Sequence, residues 1–397
     1  MTEHAGTPIY YDPYDEQIDT DPHPLWRRMR DEQPLYWNAE HQFWVLTRFE
    51  DVWTAYRDPV RFSSSHGDQP ETLDNPVDQP SMLFMDPPDH DALRRLVNRA
   101  FTPRRIAELE TSIALLCAQL LDPMVGEPSF DYVAEFGAIV PPMVIGELLG
   151  VPEADRDMLR VLADQALSLK VDDEGTNPSA EAMATLAEYY VALIAERRAS
   201  PQDDLLSALL SSELDGAERR PLTDQEVVAF VMLLNGAGGE TTTRLFGWTA
   251  VLLARNPDQR ELLVEDRSLT AGAVEELLRI EPPGAVIGRW VTKDTAFHGI
   301  TVPAASKLLL INASANRDDR EFEHPNQLDI RRAIKRTATF GYGAHYCLGA
   351  VLARTEGRLA LEAMVDRFPR WEIDESDLEM VHTSTIRGYS SARVHVA

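Results

Sequence analysis

Apolar residues recur at helical spacing through the middle of the chain. Between residues 92 and 256 nearly every segment shows this pattern, including RRLVNRAF, IAELETSIALLCAQLL and DMLRVLADQALSL. The clearest prediction is a helix over residues 224–255, because Thr223 and Glu226 have the spacing of a capping box and an Asn-Pro pair follows the segment. At about 1.5 Å per residue such a helix spans roughly 50 Å. The pattern therefore predicts a mainly helical protein.

Strand patterns lie outside this helical region. Residues 34–46 predict two aromatic-rich strands around a polar turn, followed by a short helix that carries Val52 and Tyr56. Further strands are predicted in GRWVTKD, AFHGITVP and SKLLLIN, after a helix, AVEELLRI, that ends at a Pro-Pro pair. A last helix is expected directly after Cys347.

The domain organisation follows from these elements, since no internal repeat, low-complexity tract or shift in composition marks a linker. We predict a mainly α fold, a single domain over residues 1–397 with a minor β-sheet region. Its expected parts are a mixed β part at about 1–62, a helical part at about 90–280, and a β and cysteine-loop part at about 281–397.

Two polar stretches are expected to be functional loops. Residues 63–90 contain many Pro, Asp, Ser and Gln residues around the apolar tip MLFM, and long loops in compact proteins often carry function. Residues 171–180 separate two helical patterns with turn-forming and acidic residues. We expect a mobile lid at this second position.

Charge and cysteine content narrow the function classes. The chain has 38 basic and 65 acidic residues, a formal net charge of −27, so its mean field repels nucleic acid and anionic lipid. The first residues show neither a secretory signal nor a membrane anchor, and no stretch reaches the ~18 apolar residues of a membrane span. The two cysteines, Cys117 and Cys347, cannot form a disulfide framework. We expect a cytoplasmic protein with no nucleic-acid partner.

The segment FGYGAHYCLG, residues 340–349, is the sharpest chemical signal. Gly341, Gly343 and Gly349 bracket Cys347 directly before a helical pattern. Glycines permit a tight turn, and a thiolate at a helix N-terminus is stabilised by the dipole, which fits it to ligate a metal. The alternative is a structural cysteine near a turn; Cys117, on an apolar helix face, is expected to be plain core.

A second signal, AGGETT at residues 237–242, lies in the middle of the long predicted helix. Neighbouring glycines each cost ~1 kcal/mol relative to Ala in a helix interior, so another interaction must offset them. A flat cofactor crossing the helix closely would need residues without side chains, and Glu240 and Thr241 supply an acid and an alcohol for proton transfer. The alternative is that the Thr241 hydroxyl bonds the Ala237 carbonyl and that the glycines serve helix packing.

Together these segments resemble the cytochrome P-450 family, soluble bacterial-type heme-thiolate monooxygenases. The cysteine loop matches the family pattern F-x-x-G-x-H/R-x-C-x-G, and the helix motif matches A/G-G-x-D/E-T-T/S. Three further segments are also typical of the family: LVNRAFTPRR, VIGELLGVP and SANRDD. The resemblance implies the cytochrome P-450 fold and heme b (iron protoporphyrin IX), with Cys347 as the axial metal ligand. Phe340 would pack near the sulfur, and Ala237, Gly341 and Gly349 would contact the cofactor.

The resemblance also implies residues that brace and anchor the cofactor. Glu276 and Arg279 match the E-x-x-R pair of the proximal side, which by spacing alone is an ordinary helix ion pair. The family's usual third partner is replaced by Gln327, and Arg332 is a candidate substitute. The expected donors to the heme propionates are His90, Arg94, Arg289 and His345.

Two basic segments stand out in this acidic chain, and the resemblance assigns both to the proximal face. We expect a ferredoxin or flavodoxin to dock there and deliver electrons, with NAD(P)H used only indirectly through the redox partners. The alternative is ordinary solvated faces and neutralisation of the propionates. We also expect a monomer. The basic residues are Arg94, Arg95, Arg99, Arg104, Arg105, Arg331, Arg332, Lys335, Arg336, Arg354 and Arg358.

The implied function is insertion of one atom of dioxygen into a hydrophobic small molecule. The pocket residues carried over are mostly apolar and suit a lipid, terpenoid, steroid or polyketide: Met82, Leu83, Leu233, Ala237, Val286 and Thr385. A peroxide-driven peroxygenase is an alternative, which the pair Glu240 and Thr241 argues against. A non-catalytic heme sensor or carrier is another, and would require an output domain.

Overall fold

The computed structural model describes residues 8–74, 81–167, 179–214 and 219–396. The lid expected at residues 171–180 lies outside these ranges except for its last two positions. Helices account for most of the described elements, as the pattern predicts. In chain order they are α1 Glu16–Thr20, α2 His23–Glu32, α3 Phe49–Arg57, α4 Pro70–Leu73, α5 Asp89–Ala100, α6 Pro103–Leu121, α7 Val140–Leu149, α8 Glu153–Leu167, α9 Ser179–Ala199, α10 Leu205–Leu210, α11 Asp224–Arg255, α12 Pro257–Glu265, α13 Thr270–Ile280, α14 Asn312–Ala315 and α15 Ala350–Arg367.

The described strands are short. They are β1 Leu35–Asn38, β2 Phe43–Leu46, β3 Phe62–Ser63, β4 Ser129–Asp131, β5 Glu213–Leu214, β6 Arg220–Pro221, β7 Val286–Val291, β8 Thr295–Phe297, β9 Ile300–Val302, β10 Ser306–Ile311, β11 Trp371–Ile373, β12 Glu379–His382, β13 Arg387–Ser391 and β14 Arg393–Val396.

Helix α11 has the predicted bounds and forms the centre of the fold. The Thr223 hydroxyl accepts the Glu226 N–H at 3.2 Å, and the Glu226 carboxylate accepts the Thr223 N–H at 2.8 Å, so the capping box is present. The helix packs against α7, α9, α13, α15 and β13. It buries residues on several faces, which explains why its apolar pattern is nearly continuous.

The largest sheet joins strands from both ends of the chain, in the order β1-β2-β10-β7-β3. β1 and β2 are antiparallel, with Leu35 opposite Leu46, and β10 runs parallel to β2 and antiparallel to β7. The strand predictions in residues 34–46, GRWVTKD and SKLLLIN are therefore confirmed, and AFHGITVP forms the β8-β9 pair.

The prediction of a continuous loop over residues 63–90 is wrong in part. β3 begins at Phe62 and pairs with β7, α4 covers Pro70–Leu73, and a 3-10 turn spans Met82–Phe84. A two-residue strand that pairs with a distant segment leaves no local pattern in the sequence, which is why it was missed.

Buried apolar residues form three clusters, the largest of them among the helices. Cys117 lies in this largest cluster with no exposed surface, as predicted. None of the helices that the structure describes is long and apolar enough to cross a bilayer.

Candidate functional site

Cys347 lies in a tight loop directly before α15. Its N–H donates to the Phe340 carbonyl at 2.9 Å, which closes the loop. Gly341 and Gly343 have φ angles of 65° and 74°, in the left-handed region that favours glycine. Since α15 begins at Ala350, the sulfur lies near the positive end of the helix dipole.

Residue Cys347 is exposed overall, although protein atoms crowd its thiol. This crowding raises the pKa of the thiol, whereas the Gly349 N–H and the guanidinium groups of Arg94 and Arg354 lower it. Gly349 itself has an ordinary φ of −79°. A Cβ added at Gly349 would meet nothing within 4 Å, so there is open space next to the backbone of this loop.

The four predicted propionate donors lie close together around this loop. The rings of His90 and His345 are 4.2 Å apart, and burial followed by the nearby charge of Arg289, His90 and Arg94 lowers the pKa of His345 to about 3. Burial also lowers the pKa of His90. Arg289 is 6% exposed, and its Nη1 donates to the neighbouring Gly288 carbonyl at 2.7 Å.

The nitrogen donors in this cluster are not all satisfied. The Nε2 atoms of His90 and His345 are buried and have no hydrogen-bond partner among the described residues. Buried polar atoms are normally paired, and buried guanidinium groups normally face an anion. The cluster therefore has the donors and the positive charge to hold the carboxylates of a buried ligand.

Glu276 forms an ion network with two arginines, of which Arg279 is fully buried and Arg332 is partly exposed. Arg279 donates to both carboxylate oxygens, at 2.7 and 2.8 Å, and neither residue has exposed side-chain area. Arg332 Nε lies 3.1 Å from each oxygen, so it contributes the third side chain. Gln327 contributes its backbone carbonyl, which accepts from Arg332 at 3.2 Å. The network joins α13 to the segment before the cysteine loop.

Glu240 and Thr241 lie next to each other on α11, and each has a local partner. The Thr241 hydroxyl donates to the Ala237 carbonyl at 2.8 Å, as the alternative reading of this motif expected. Glu240 Oε1 lies 3.6 Å from Arg244 Nη2, and Arg244 also donates to the Tyr389 carbonyl at 2.8 Å. Consecutive positions on the helix thus carry an acid and an alcohol, and an arginine orients the acid.

The glycines of this motif serve helix packing. A Cβ at Gly238 would lie 2.8 Å from Ile145 Cδ1, and a Cβ at Gly239 would lie 3.4 Å from Pro142 Cγ, both on α7. These two glycines therefore allow α7 and α11 to approach closely. At Gly236 an added Cβ would meet nothing within 4 Å.

The predicted pocket residues fall into two clusters. Met82 and Leu233 belong to the helical cluster, whereas Val286 belongs to the cluster around β2 and β10. The Val286 N–H donates to the Thr385 carbonyl at 3.1 Å, which places those two residues together. Leu83 is half-buried and Ala237 is exposed.

Six of the eleven basic residues on the expected docking face form ion pairs, five of them with acids distant in sequence. Hydrogen-bonded ion pairs join Arg105 to Asp203 and Arg358 to Glu110, and others join Arg104 to Glu108, Arg336 to Glu50 and Glu321, and Arg354 to Glu275. Exposed cations without an ion pair among the described residues are Arg95, Arg331 and Lys335. The net positive charge of this face is smaller than a count along the sequence suggests.

Two residues at the site were missed by sequence analysis. The spacing of Arg244, four residues after Glu240 on a helix, was a usable signal. Tyr56, which touches the cysteine loop, gave none, because its contacts come from the other end of the chain.

Comparison with known proteins identifies one family. The profile of the family described as Cytochrome P-450 matches residues 32–390. Cytochrome P-450 123 of Mycobacterium tuberculosis is 41% identical over 100% of this chain and 99% of its own. The vitamin D(3) 25-hydroxylase of Pseudonocardia autotrophica is 38% identical over 93% of this chain and 92% of its own.

A solved structure gives the same result for the fold. The crystal structure of CYP109E1 from Bacillus megaterium in complex with corticosterone superposes with a TM-score of 0.87 and 29% identity, over 96% of this chain and 100% of that one. The predicted fold class is therefore confirmed. With its cysteine loop, its helix motif and these relatives, the chain belongs to the cytochrome P-450 family of heme-thiolate monooxygenases.

Proposed function

We propose that this chain holds heme b through Cys347 and inserts one atom of dioxygen into a hydrophobic small molecule. The observation that carries the proposal is the pairing of an exposed cysteine at the start of α15 with a buried cluster of nitrogen donors beside it. Heme would supply the iron at which dioxygen is activated, and Cys347 would hold that iron through its thiolate.

The residues present fit this cofactor. Heme carries two carboxylates, and His90, Arg94, Arg289 and His345 supply two cations and two unpaired imidazole nitrogens. Gly349 leaves open space next to the backbone of the cysteine loop, as a flat ring passing close to that backbone requires. The guanidinium carbon of Arg354 lies 4.4 Å from the centre of the Phe340 ring. Phe340 would shield the sulfur from water.

Glu240 and Thr241 would supply protons to bound oxygen. The Thr241 hydroxyl gives its hydrogen to the Ala237 carbonyl, so its oxygen can accept a hydrogen bond from a neighbouring donor. Arg244 orients the Glu240 carboxylate next to it. Peroxide already contains the protons and electrons of reduced dioxygen, so an enzyme driven by peroxide would not need this pair.

Electrons would come from a separate ferredoxin or flavodoxin, with NAD(P)H acting only through that partner. On the expected docking face, Arg95, Arg331 and Lys335 are exposed and form no ion pair with the described residues, so an acidic partner would contact them first. Because six of the other basic residues on this face are ion-paired, we expect a moderate dependence of electron transfer on salt. We place the protein in the cytoplasm as a monomer.

For the substrate we propose a rigid apolar ring system of the steroid or polyketide class. The pocket residues are mostly apolar, and two of the relatives are a vitamin D(3) hydroxylase and a corticosterone complex. Binding would rest on apolar burial, with orientation set by few polar contacts.

The experiment uses labelled dioxygen. Purified protein with ferredoxin, its reductase and NADPH should convert a steroid that shifts the heme to high spin, and the product should gain one labelled oxygen atom. Product with unlabelled oxygen would contradict oxygen insertion. Turnover on hydrogen peroxide alone, with no gain from ferredoxin, would establish the peroxygenase alternative instead.

A further inference from the structure

Helix α3 lies against the cysteine loop, and its residue Tyr56 makes the closest approach. We propose that Tyr56 is a positioning residue that fixes the cysteine loop relative to Arg289. This inference rests on the proposed function, because it concerns how the thiolate ligand and a propionate donor are held at fixed positions relative to each other.

The loop has no room to move toward α3. A Cβ at Gly343 would lie 2.6 Å from the Tyr56 carbonyl oxygen, and a Cβ at Gly341 would lie 3.3 Å from Cε1 of the Tyr56 ring. Both glycines have left-handed φ angles, so the turn folds directly onto the tyrosine. The Tyr56 ring therefore supports the segment that carries Cys347 from the side of α3.

The same ring also contacts the propionate side of the site. The guanidinium carbon of Arg289 lies 5.6 Å from the centre of the Tyr56 ring, within cation–π range. The Tyr56 hydroxyl donates to Asn312 Oδ1 at 2.8 Å, and the Asn312 amide donates to the Gly284 carbonyl at 3.1 Å. Tyr56 is 6% exposed, so its ring orientation is fixed by these contacts.

One turn earlier on α3, Trp53 extends this contact toward the surface. Its ring stacks on Tyr342 of the loop with centroids 4.3 Å apart and an interplanar angle of 29°. The guanidinium of Arg336 lies over Trp53 on the outside, at 5.4 Å. One face of α3 thus follows the loop from its buried part to its exposed part.

Loss of the Tyr56 ring should loosen the loop locally. A packed core confines its side chains, and removing a large ring leaves a space into which Gly341 and Arg289 can shift. The thiolate bond would then be lost through local opening at conditions where the rest of the protein stays folded. A residue important only for global stability would not separate these two events.

The experiment compares the heme-loaded wild type with Tyr56→Leu, Tyr56→Phe and Tyr36→Leu. Tyr36 is the matched control: it is also 6% exposed and has one hydrogen bond, from the Tyr11 N–H at 3.2 Å, but it lies on β1 in a different cluster. Each protein is held in urea below its unfolding midpoint. We follow the loss of the thiolate-type absorption band of the reduced carbon monoxide complex over time, and far-UV circular dichroism measures global unfolding.

At urea concentrations equally far below each variant's own unfolding midpoint, we expect the band of Tyr56→Leu to decay about tenfold faster than that of Tyr36→Leu. Tyr56→Phe keeps the ring and should stay within about threefold of wild type. Equal decay rates in Tyr56→Leu and Tyr36→Leu would overturn the inference. If Tyr56→Leu does not fold, Tyr56→Met replaces it with the same two outcomes. A wild type without a thiolate-type band would refute the proposed function instead.

Discussion

Two buried glutamates on adjacent helices have opposite surroundings. Glu276 on α13 has no exposed surface and accepts hydrogen bonds from Arg279, Arg332 and the Asp329 N–H, the last at 3.0 Å. Glu356 on α15 is 1% exposed, and its Oε2 has no partner among the described residues. Burial raises the pKa of Glu356 well above its usual value.

The comparison separates two ways of burying a carboxyl group. A charged carboxylate in the interior requires cations and donors, and removing one side of such a network leaves an uncompensated charge. A carboxyl group without cations stays protonated and is a neutral polar group. The network around Glu276 joins α13 to the segment that precedes the cysteine loop. The protonated carboxyl group of Glu356 makes the free energy of unfolding depend on pH.

Glu276→Gln should have the largest effect on stability. The substitution keeps the shape but leaves the buried charges of Arg279 and Arg332 without a counterion. We expect a loss of about 3–5 kcal/mol in the free energy of unfolding, together with poor heme incorporation. Urea unfolding followed by circular dichroism measures it, and a loss below about 1 kcal/mol would show that the network is not a stabilising ion cluster.

A third buried glutamate, Glu281, predicts acid sensitivity. Burial alone would raise the pKa of Glu281, but His23, Arg317 and Arg387 together lower it to about 2. Because the folded pKa lies below the unfolded value of 4.5, this stabilisation is present above about pH 4.5 and is lost as the pH falls toward 2.

At pH 6 this stabilisation is fully present. The difference in unfolding free energy between wild type and Glu281→Gln should therefore be large at pH 6 and shrink below pH 4.5. A difference that is constant from pH 6 to pH 3.5 would contradict a depressed pKa.

Arg332→Met tests which residue completes the proximal network. Arg279 keeps its two bonds to Glu276, so we expect a loss of about 2 kcal/mol, from one charge-assisted contact and its packing. Gln327→Ala is the control, since only the Gln327 backbone carbonyl takes part, and should cost less than about 0.5 kcal/mol. The reverse order of the two variants would assign the role to Gln327.

Glu356→Gln should change the stability in the opposite direction. Above pH 4.5 the unfolded chain releases the Glu356 proton and the folded protein retains it, so the wild type loses stability as the pH rises. The glutamine variant lacks this loss and should gain on the wild type by up to about 1.4 kcal/mol per pH unit between pH 5 and 7. A variant that becomes relatively less stable over that range would show that Glu356 is charged.

The features that could be predicted from sequence are local ones. The bounds of α11 follow from the capping box at Thr223 and the Asn-Pro pair, both within a turn of the helix ends. The cysteine loop was found because its three glycines and Cys347 lie within ten residues. In both cases the physical constraint acts on a short stretch of chain, so the residues that satisfy it are neighbours in sequence.

Contacts between distant segments could not be predicted in this way. Counting charges along the chain made the segments around Arg104 and Arg358 look strongly basic, yet Arg358 pairs with Glu110, far away in sequence. Tyr56 reaches the cysteine loop only because β1, β2 and α3 pack against β10. Such pairings depend on the tertiary fold, and a single sequence carries no periodic signal for them.

The most direct test of the account is the absorption spectrum of the reduced protein with carbon monoxide. With Cys347 as the axial ligand, the wild type and Cys117→Ala should both show the red-shifted Soret band of a thiolate complex, and Cys347→Ala should lose it. A wild type without that shift, or a Cys347→Ala variant that keeps it, would contradict the assignment of Cys347 as the heme ligand.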